Sequence, residues 1–146
     1  MNLRRSTLAR AKVNLGLEVL GRRPDGYHEV RTILATVSLA DRLEATPAPR
    51  LEVRSTRPEL GSGSDLVLRA AQALSQKAGL AQGACIRVEK RIPLASGLGG
   101  GATDAAATLR LLRRLFRLQN LTDADLCQLG ADLGADVPFF IRGGVA

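Results

Sequence analysis

The sequence predicts a fold that contains both β-strands and α-helices, and three observations indicate it. Apolar residues alternate along residues 8–20, which is the period of a strand with one buried face. Apolar residues recur at helical spacing along residues 66–74. Four glycines within residues 97–101 directly precede an alanine-rich run, where a strand and a helix are expected to meet. A chain of 146 residues is long enough for one such domain.

The remaining elements follow from the same periods and from the turn residues between them. A Pro-Asp-Gly turn at 24–26 separates the first strand from a second at 29–39. Two short strands at 41–47 and 50–55 are expected to be separate, because prolines cannot continue a ladder. Ser64 is predicted to cap a helix that Gly79 ends. The rest of the chain is predicted as a strand at 85–92, helices at 103–118 and 122–134, and a strand at 136–142.

Composition limits the classes of protein that the chain can belong to. No apolar run approaches the roughly 20 residues of a membrane span, and the N-terminus lacks the apolar segment of a secretion signal. Cys85 and Cys127 have no metal-like spacing and are typical of a reducing compartment. We therefore expect a soluble, cytoplasmic protein without a membrane partner.

The formal charge of +7 has two interpretations, which the sequence leaves open. It indicates either an anionic ligand, such as a nucleotide, or a solvated surface rich in arginine. Nucleic-acid binding commonly adds stacking aromatic residues or a basic helix, and neither is clear here. We therefore expect no nucleic-acid partner.

The glycine-rich segment predicts a phosphate-binding loop. The start of a helix offers unpaired N–H groups and a partial positive charge, which together bind anions. Glycines allow a phosphate to approach those amides, and a side chain at Gly100 is expected to obstruct it. The loop is not of the Walker type, because no Gly-Lys-Ser/Thr ends it. It matches a relaxed dinucleotide pattern, but no acidic residue follows a next strand.

Three segments resemble the GHMP small-molecule kinases. Residues 93–106, which read PLASGLGGGATDAA, resemble the phosphate loop of that family. Residues 11–29 and 133–140 are similar to the branch that phosphorylates a cytidine-diphosphate-linked methylerythritol in the non-mevalonate isoprenoid pathway. The segments occur in the family's order and span nearly the whole chain.

The resemblance implies an α+β fold, with a mixed or antiparallel sheet that carries helices on one side. It implies that Mg²⁺-bound ATP binds to the loop, whose residues are Pro93, Leu94, Ala95, Ser96, Gly97, Leu98, Gly99, Gly100, Gly101, Ala102 and Thr103. The family commonly has a serine where this chain has Ala102. The hydroxyl that contacts phosphate is therefore expected at Thr103.

The resemblance also implies the roles of five further residues. Lys12 and Asp136 match the family's catalytic lysine and aspartate, and Asp132 does not. Asn14 shares a strand face with Lys12 and is expected to bind the substrate. Tyr27 and His28 are expected to stack on the cytosine of the substrate and to hydrogen-bond its edge. The pattern implies no metal site of the protein's own.

The family has a second domain of about the same length, so residues 1–146 are expected to form the N-terminal domain alone and to be inactive alone. One alternative is a different GHMP kinase, which shares the loop but lacks the Asp25–His28 and Gly134–Val137 segments together. The other alternative is a basic RNA-binding module of the same fold type. Oligomeric state is not predicted.

Overall fold

The computed structural model describes residues 3–60 and 65–146, and within them the chain forms four strands and four α-helices. This arrangement confirms the α+β class. No helix in the described part of the chain is long and apolar enough to cross a membrane. The elements in chain order are β1 (Arg5–Arg22), β2 (His28–Ala48), β3 (Glu52–Ser55), a 3₁₀ turn (Pro58–Leu60), α1 (Leu66–Ala78), β4 (Gly83–Glu89), α2 (Gly100–Leu115), α3 (Asp123–Leu133) and α4 (Val137–Arg142).

The four strands form one mixed sheet in the order β1-β2-β4-β3. β2 pairs antiparallel with both β1 and β4, whereas β3 runs parallel to β4. Of the residues of β2, those from Arg42 to Ala48 pair with β4. The earlier part of β2 therefore forms, with β1, a two-stranded ribbon that extends beyond the rest of the sheet.

The core lies between one face of the sheet and the helices. Leu43 and Ala45 of β2 pair with Val88 and Ile86 of β4, and all four side chains are buried against the helices. The alternate residues, such as Arg42 and Arg87, are exposed. Each fully buried leucine or isoleucine in this layer contributes about 1.5–3 kcal/mol. The helices thus cover one face, as the family resemblance implies.

The prediction of separate strands at 29–39 and 41–47 was wrong, because β2 is continuous through both. Pro47 lies within the strand and is paired with Ala84. Pairing with β1 ends at Ala45, so β2 has an unpaired edge beyond that residue. Pro47 has no backbone N–H to donate, and this is tolerated at an unpaired edge.

The prediction of a strand at 136–142 was also wrong, because residues 137–142 form α4. A six-residue apolar run does not separate strand from helix by its period. Val137, Phe140 and Ile141 are buried at helical spacing, and Pro138 lies in the first turn, where proline is favoured.

Two helix starts differ from the prediction. α2 begins at Gly100 rather than Thr103, so part of the glycine-rich segment is helical. α1 is capped by Asp65, whose carboxylate accepts a hydrogen bond from the Val67 N–H at 2.8 Å. The predicted cap, Ser64, lies outside the described residues. α1 ends at Gly79 with a left-handed φ of 62°, as predicted.

Candidate active site

The glycine-rich loop between β4 and α2 has the backbone geometry of an anion cradle. Ala95, Gly97 and Gly99 have positive φ values of 51°, 72° and 72°. Left-handed residues of this kind turn successive N–H groups toward one side, beside the unpaired amides that begin α2. A cavity of about 210 Å³ opens there, and apart from Lys90 it is lined by residues 93–97 and 99–102. The loop can therefore hold an anion such as a phosphate.

A second cavity of about 260 Å³ adjoins the first, and the two share Lys90, Leu94 and Gly101. Its walls include the apolar side chains of Leu66 and Val88. Sites for small molecules combine apolar walls with a few polar groups. The two cavities together form one groove, in which the loop backbone lines one end and the side chains of Leu66 and Val88 lie at the other.

Two residues of the predicted loop lie apart from the cavity of the loop. Leu98 is absent from the described lining, and its carbonyl accepts a hydrogen bond from the Lys12 N–H at 3.0 Å. Thr103 is only 1% exposed and lines a different cavity of about 270 Å³ with Thr36 and Arg110. The structure thus separates the Thr103 side chain from the loop cavity, and its contact with phosphate stays a prediction.

The space around Gly99 differs from that around Gly100, which matters for substitutions in the loop. A Cβ on Gly99 would lie 2.8 Å from the Phe140 ring, at a φ that disfavours side chains. A Cβ on Gly100 would lie 3.2 Å from the Ile92 side chain and 3.4 Å from the Lys90 ammonium, and both Gly100 and Lys90 line the loop cavity. Obstruction of a phosphate by a side chain at Gly100 therefore stays a prediction.

We expect Gly99→Ala to weaken ATP binding by at least about tenfold, because a left-handed alanine alone costs about 1–2 kcal/mol and the Phe140 contact adds to it. Gly100→Ala is the comparison without the strained φ, since α2 is already helical there, and we expect a smaller loss than in Gly99→Ala. Titration calorimetry of both variants measures the difference. Equal losses in the two variants would contradict the geometry described for Gly99.

Lys12 enters the site because β1 is irregular at this point. Arg10 pairs with Ala40, but Lys12 pairs with Thr36, so the register shifts between them. The consecutive residues Ala11 and Lys12 are both buried, which regular alternation does not allow. The Lys12 ammonium donates to Asn14 Oδ1 at 2.7 Å, as expected for two residues on one face.

Asp136 lies opposite Lys12, immediately before α4. Its Oδ2 is 3.8 Å from Lys12 Nζ, and its side chain is 42% exposed. Within the described residues its carboxylate caps no helix amide, so it is available to a ligand. Asp132, the other Gly-Ala-Asp aspartate, is exposed in the last turn of α3. The structure therefore brings Lys12, Asn14, Asp136 and the loop together.

Tyr27 and His28 lie at the tip of the ribbon, and no hydrogen bond or ion pair among the described residues joins their side chains to this cluster. Tyr27 is 74% exposed, and its N–H donates to Asp25 Oδ1 at 3.1 Å. His28 pairs with Arg22, at the opposite end of the ribbon strand from the start of β1. The structure does not bring these two residues to Lys12 and Asp136, so their role in base binding stays a prediction.

Three buried charged residues behind the loop were missed by the sequence analysis. The Lys90 ammonium donates to Asp41 Oδ2 at 2.5 Å and to Asp104 Oδ2 at 2.8 Å. One signal was available, because Asp104 directly precedes three alanines on the buried side of a helix. An acidic residue in such a stripe is expected to have a specific partner.

The comparisons with known proteins identify the family. The model of the family GHMP kinases N terminal domain matches residues 65–144. A 4-diphosphocytidyl-2-C-methyl-D-erythritol kinase from Salinibacter ruber is 47% identical over 92% of this chain and 47% of its own length. The enzyme of that name from Symbiobacterium thermophilum is 50% identical over 90% of this chain and 47% of its own. The corresponding enzyme from Bacillus pumilus is 47% identical over 94% of this chain and 48% of its own.

Solved structures show the same relationship. A crystal structure of 4-(cytidine 5'-diphospho)-2C-methyl-D-erythritol kinase superimposes with a TM-score of 0.79 at 45% identity, over 94% of this chain and 49% of that one. A homoserine kinase from Cytophaga hutchinsonii shares the fold, with a TM-score of 0.69 at 19% identity, over 97% of this chain and 43% of that one. The chain therefore belongs to the GHMP kinase family, and it spans about half the length of the curated relatives it matches.

Proposed function

We propose that these residues form the N-terminal half of an ATP-dependent kinase for 4-diphosphocytidyl-2-C-methyl-D-erythritol, which transfers a phosphoryl group to its 2-hydroxyl in non-mevalonate isoprenoid synthesis. The observation that carries the proposal is the position of Lys12 between the phosphate loop and Asp136. The names of the relatives at 47–50% identity support the choice of substrate.

The residues divide the chemistry of phosphoryl transfer between them. Such transfer depends mainly on positioning and on electrostatic stabilisation. Asp136 is exposed enough to accept the proton of an incoming hydroxyl. Lys12 is buried and hydrogen-bonded, so its ammonium is fixed where charge develops on the transferred group. Asn14 orients that ammonium and is proposed to contact the alcohol.

The groove supports ATP as the phosphoryl donor. The loop and the first residues of α2 line the first cavity, where backbone amides suit the phosphates. The adjoining cavity adds the apolar side chains of Leu66 and Val88 beside polar groups, which suits the base. We propose that Mg²⁺ arrives on the nucleotide, where it bridges phosphate oxygens and neutralises their charge.

We also propose that a second domain supplies the other wall of the site, because the chain spans about half the length of the curated relatives. The ribbon presents an exposed apolar surface that includes Leu15, Leu17 and Val19. Contiguous exposed apolar residues mark contact surfaces.

Cys85 and Cys127 are free thiols, which suits the proposed cytoplasmic location.

The test uses an extended protein, in which residues 1–146 are joined to the second half of the Bacillus pumilus relative. An ADP-release assay with ATP, Mg²⁺ and diphosphocytidyl methylerythritol is expected to show turnover. Turnover with homoserine in place of that alcohol would instead indicate a different GHMP kinase.

We expect Tyr27→Ala in the extended protein to weaken binding of the alcohol substrate and to leave ATP affinity within about twofold. Stacking of a base on an aromatic ring contributes about 1–3 kcal/mol, which corresponds to roughly 5- to 150-fold in affinity. Tyr27→Phe keeps the ring and is the matched control. Titration of each ligand separately distinguishes the outcomes, and equal losses for both ligands in Tyr27→Ala would indicate a structural role instead.

A further inference from the structure

An ion cluster of Asp41, Lys90 and Asp104 lies beside the phosphate loop, where Lys90 lines both cavities of the groove and Asp104 lines one of them. The cluster joins three elements. Asp41 belongs to β2, Lys90 follows β4, and Asp104 lies in the second turn of α2. The Asp41 side chain is fully buried, and those of Lys90 and Asp104 are 7% and 4% exposed. Neither carboxylate lies in the proposed catalytic cluster of Lys12 and Asp136.

The cluster fixes both ends of the loop. Asp41 Oδ1 accepts hydrogen bonds from the N–H groups of Arg91 and Ile92, at 2.5 and 2.8 Å, directly before Pro93. Asp104 holds the far end, because it lies on the helix into which the loop leads. The Lys90 ammonium connects the two carboxylates. The separation between the start of the loop and the start of α2 therefore depends on three buried side chains.

The charges in this cluster do not balance when both carboxylates are ionised, since one ammonium serves two of them. Asp104 Oδ1 is buried without a hydrogen-bond partner among the described residues. Burial raises the pKa of Asp104 to about 8, against the lowering effect of Lys90 and with a further increase from Asp41. The other charged residues that line the cavity beside Asp104 and Lys90 are Asp65, which caps α1, and Glu59.

We propose that Asp104, together with Asp41 through Lys90, is a positioning residue that holds the loop in its phosphate-binding geometry. This inference rests on the proposed function of the loop, but the rigidity it assigns to the loop is measurable without nucleotide. Neutral Asp104 adds no negative charge beside the phosphates, whereas ionised Asp104 leaves the cluster with a net charge of −1. ATP is therefore expected to bind less tightly as Asp104 ionises.

The test compares Asp104→Ala with Thr108→Val in the 146-residue chain. Alanine removes one of the two acceptors of the Lys90 ammonium and suits the alanine run that follows. Thr108 is equally buried one turn further along α2, and its hydroxyl donates only to the Asp104 carbonyl. We expect Asp104→Ala to weaken ATP binding at least tenfold and to accelerate hydrogen exchange of residues 91–103 at least tenfold. We expect Thr108→Val to change either quantity by less than threefold.

Unchanged exchange in a folded Asp104→Ala protein would overturn the proposal, and so would unchanged ATP affinity. If the wild-type chain binds no ATP, the proposed function fails, and hydrogen exchange alone still decides whether Asp104 positions the loop.

Asp104→Asn keeps an acceptor for the Lys90 ammonium, and it tests the proposal if the alanine variant does not fold. At pH 7 it should bind ATP within twofold of wild type. Between pH 7 and pH 9 wild-type affinity should fall at least threefold, because Asp104 ionises, and the affinity of the asparagine variant should not. Identical pH profiles would overturn the proposal.

Discussion

Asp136→Asn in the extended protein is expected to lower turnover by about 10²- to 10⁴-fold, the range for loss of a positioned proton acceptor. Asparagine keeps the shape of the side chain but cannot take the proton of the attacking hydroxyl. It also removes the negative charge 3.8 Å from the Lys12 ammonium. Because the loop is unchanged, ATP affinity should stay within about threefold. Steady-state ADP release and nucleotide titration measure the two quantities.

Asp132→Asn is the matched control for Asp136→Asn. Asp132 has the same Gly-Ala-Asp context in the sequence, but it is exposed in the last turn of α3. We expect it to retain turnover within twofold. Similar losses in the two variants, or full turnover in Asp136→Asn, would remove Asp136 from the catalytic site.

The second large effect concerns the 146-residue chain assayed alone. We expect its turnover to lie at least about 10³-fold below that of the extended protein, because holding two reactants in orientation accounts for much of the rate. The loop, Lys12 and Asp136 are all in this chain, whereas the wall opposite them is proposed to come from the second domain. Weak ATP binding should survive, since the residues that line the described groove all belong to this chain.

The comparison uses the same ADP-release assay on both proteins at equal concentration. Turnover by the 146-residue chain within tenfold of the extended protein, and abolished by Asp136→Asn, would show that the second domain is dispensable. Aggregation of the shorter chain alone would fit the exposed apolar residues of the ribbon.

Much of the site could be predicted from local sequence. The glycines indicated the loop because they permit positive φ values and a close approach of phosphate, and because the following helix begins with unpaired amides. The pairing of Lys12 with Asp136 came from the family resemblance, since no local pattern relates residues so distant in sequence. The side-chain contacts around Gly99 and Gly100 were beyond such reasoning, because Phe140 and Ile92 reach them only in the folded chain.

The errors in the fold have a common cause, which is that tertiary context decided between local alternatives. The segment 137–142 is short and apolar, and it became a helix because that conformation buries Val137, Phe140 and Ile141 together. Pro47 was tolerated within β2 because β1 had already ended beside it. Lys90 and Asp41 gave no local signal, since an isolated lysine or aspartate near the end of a strand is ordinarily solvated.

The most direct measurement follows the γ-phosphoryl group of labelled ATP in the extended protein. The proposed function predicts that label appears on the 2-hydroxyl of diphosphocytidyl methylerythritol, and that Lys12→Met and Asp136→Asn each slow its appearance at least about 100-fold. Homoserine and mevalonate, offered at the same concentration, should remain unlabelled. Label on either of those alcohols, or transfer at the wild-type rate in both variants, would contradict the function and the site proposed for this chain.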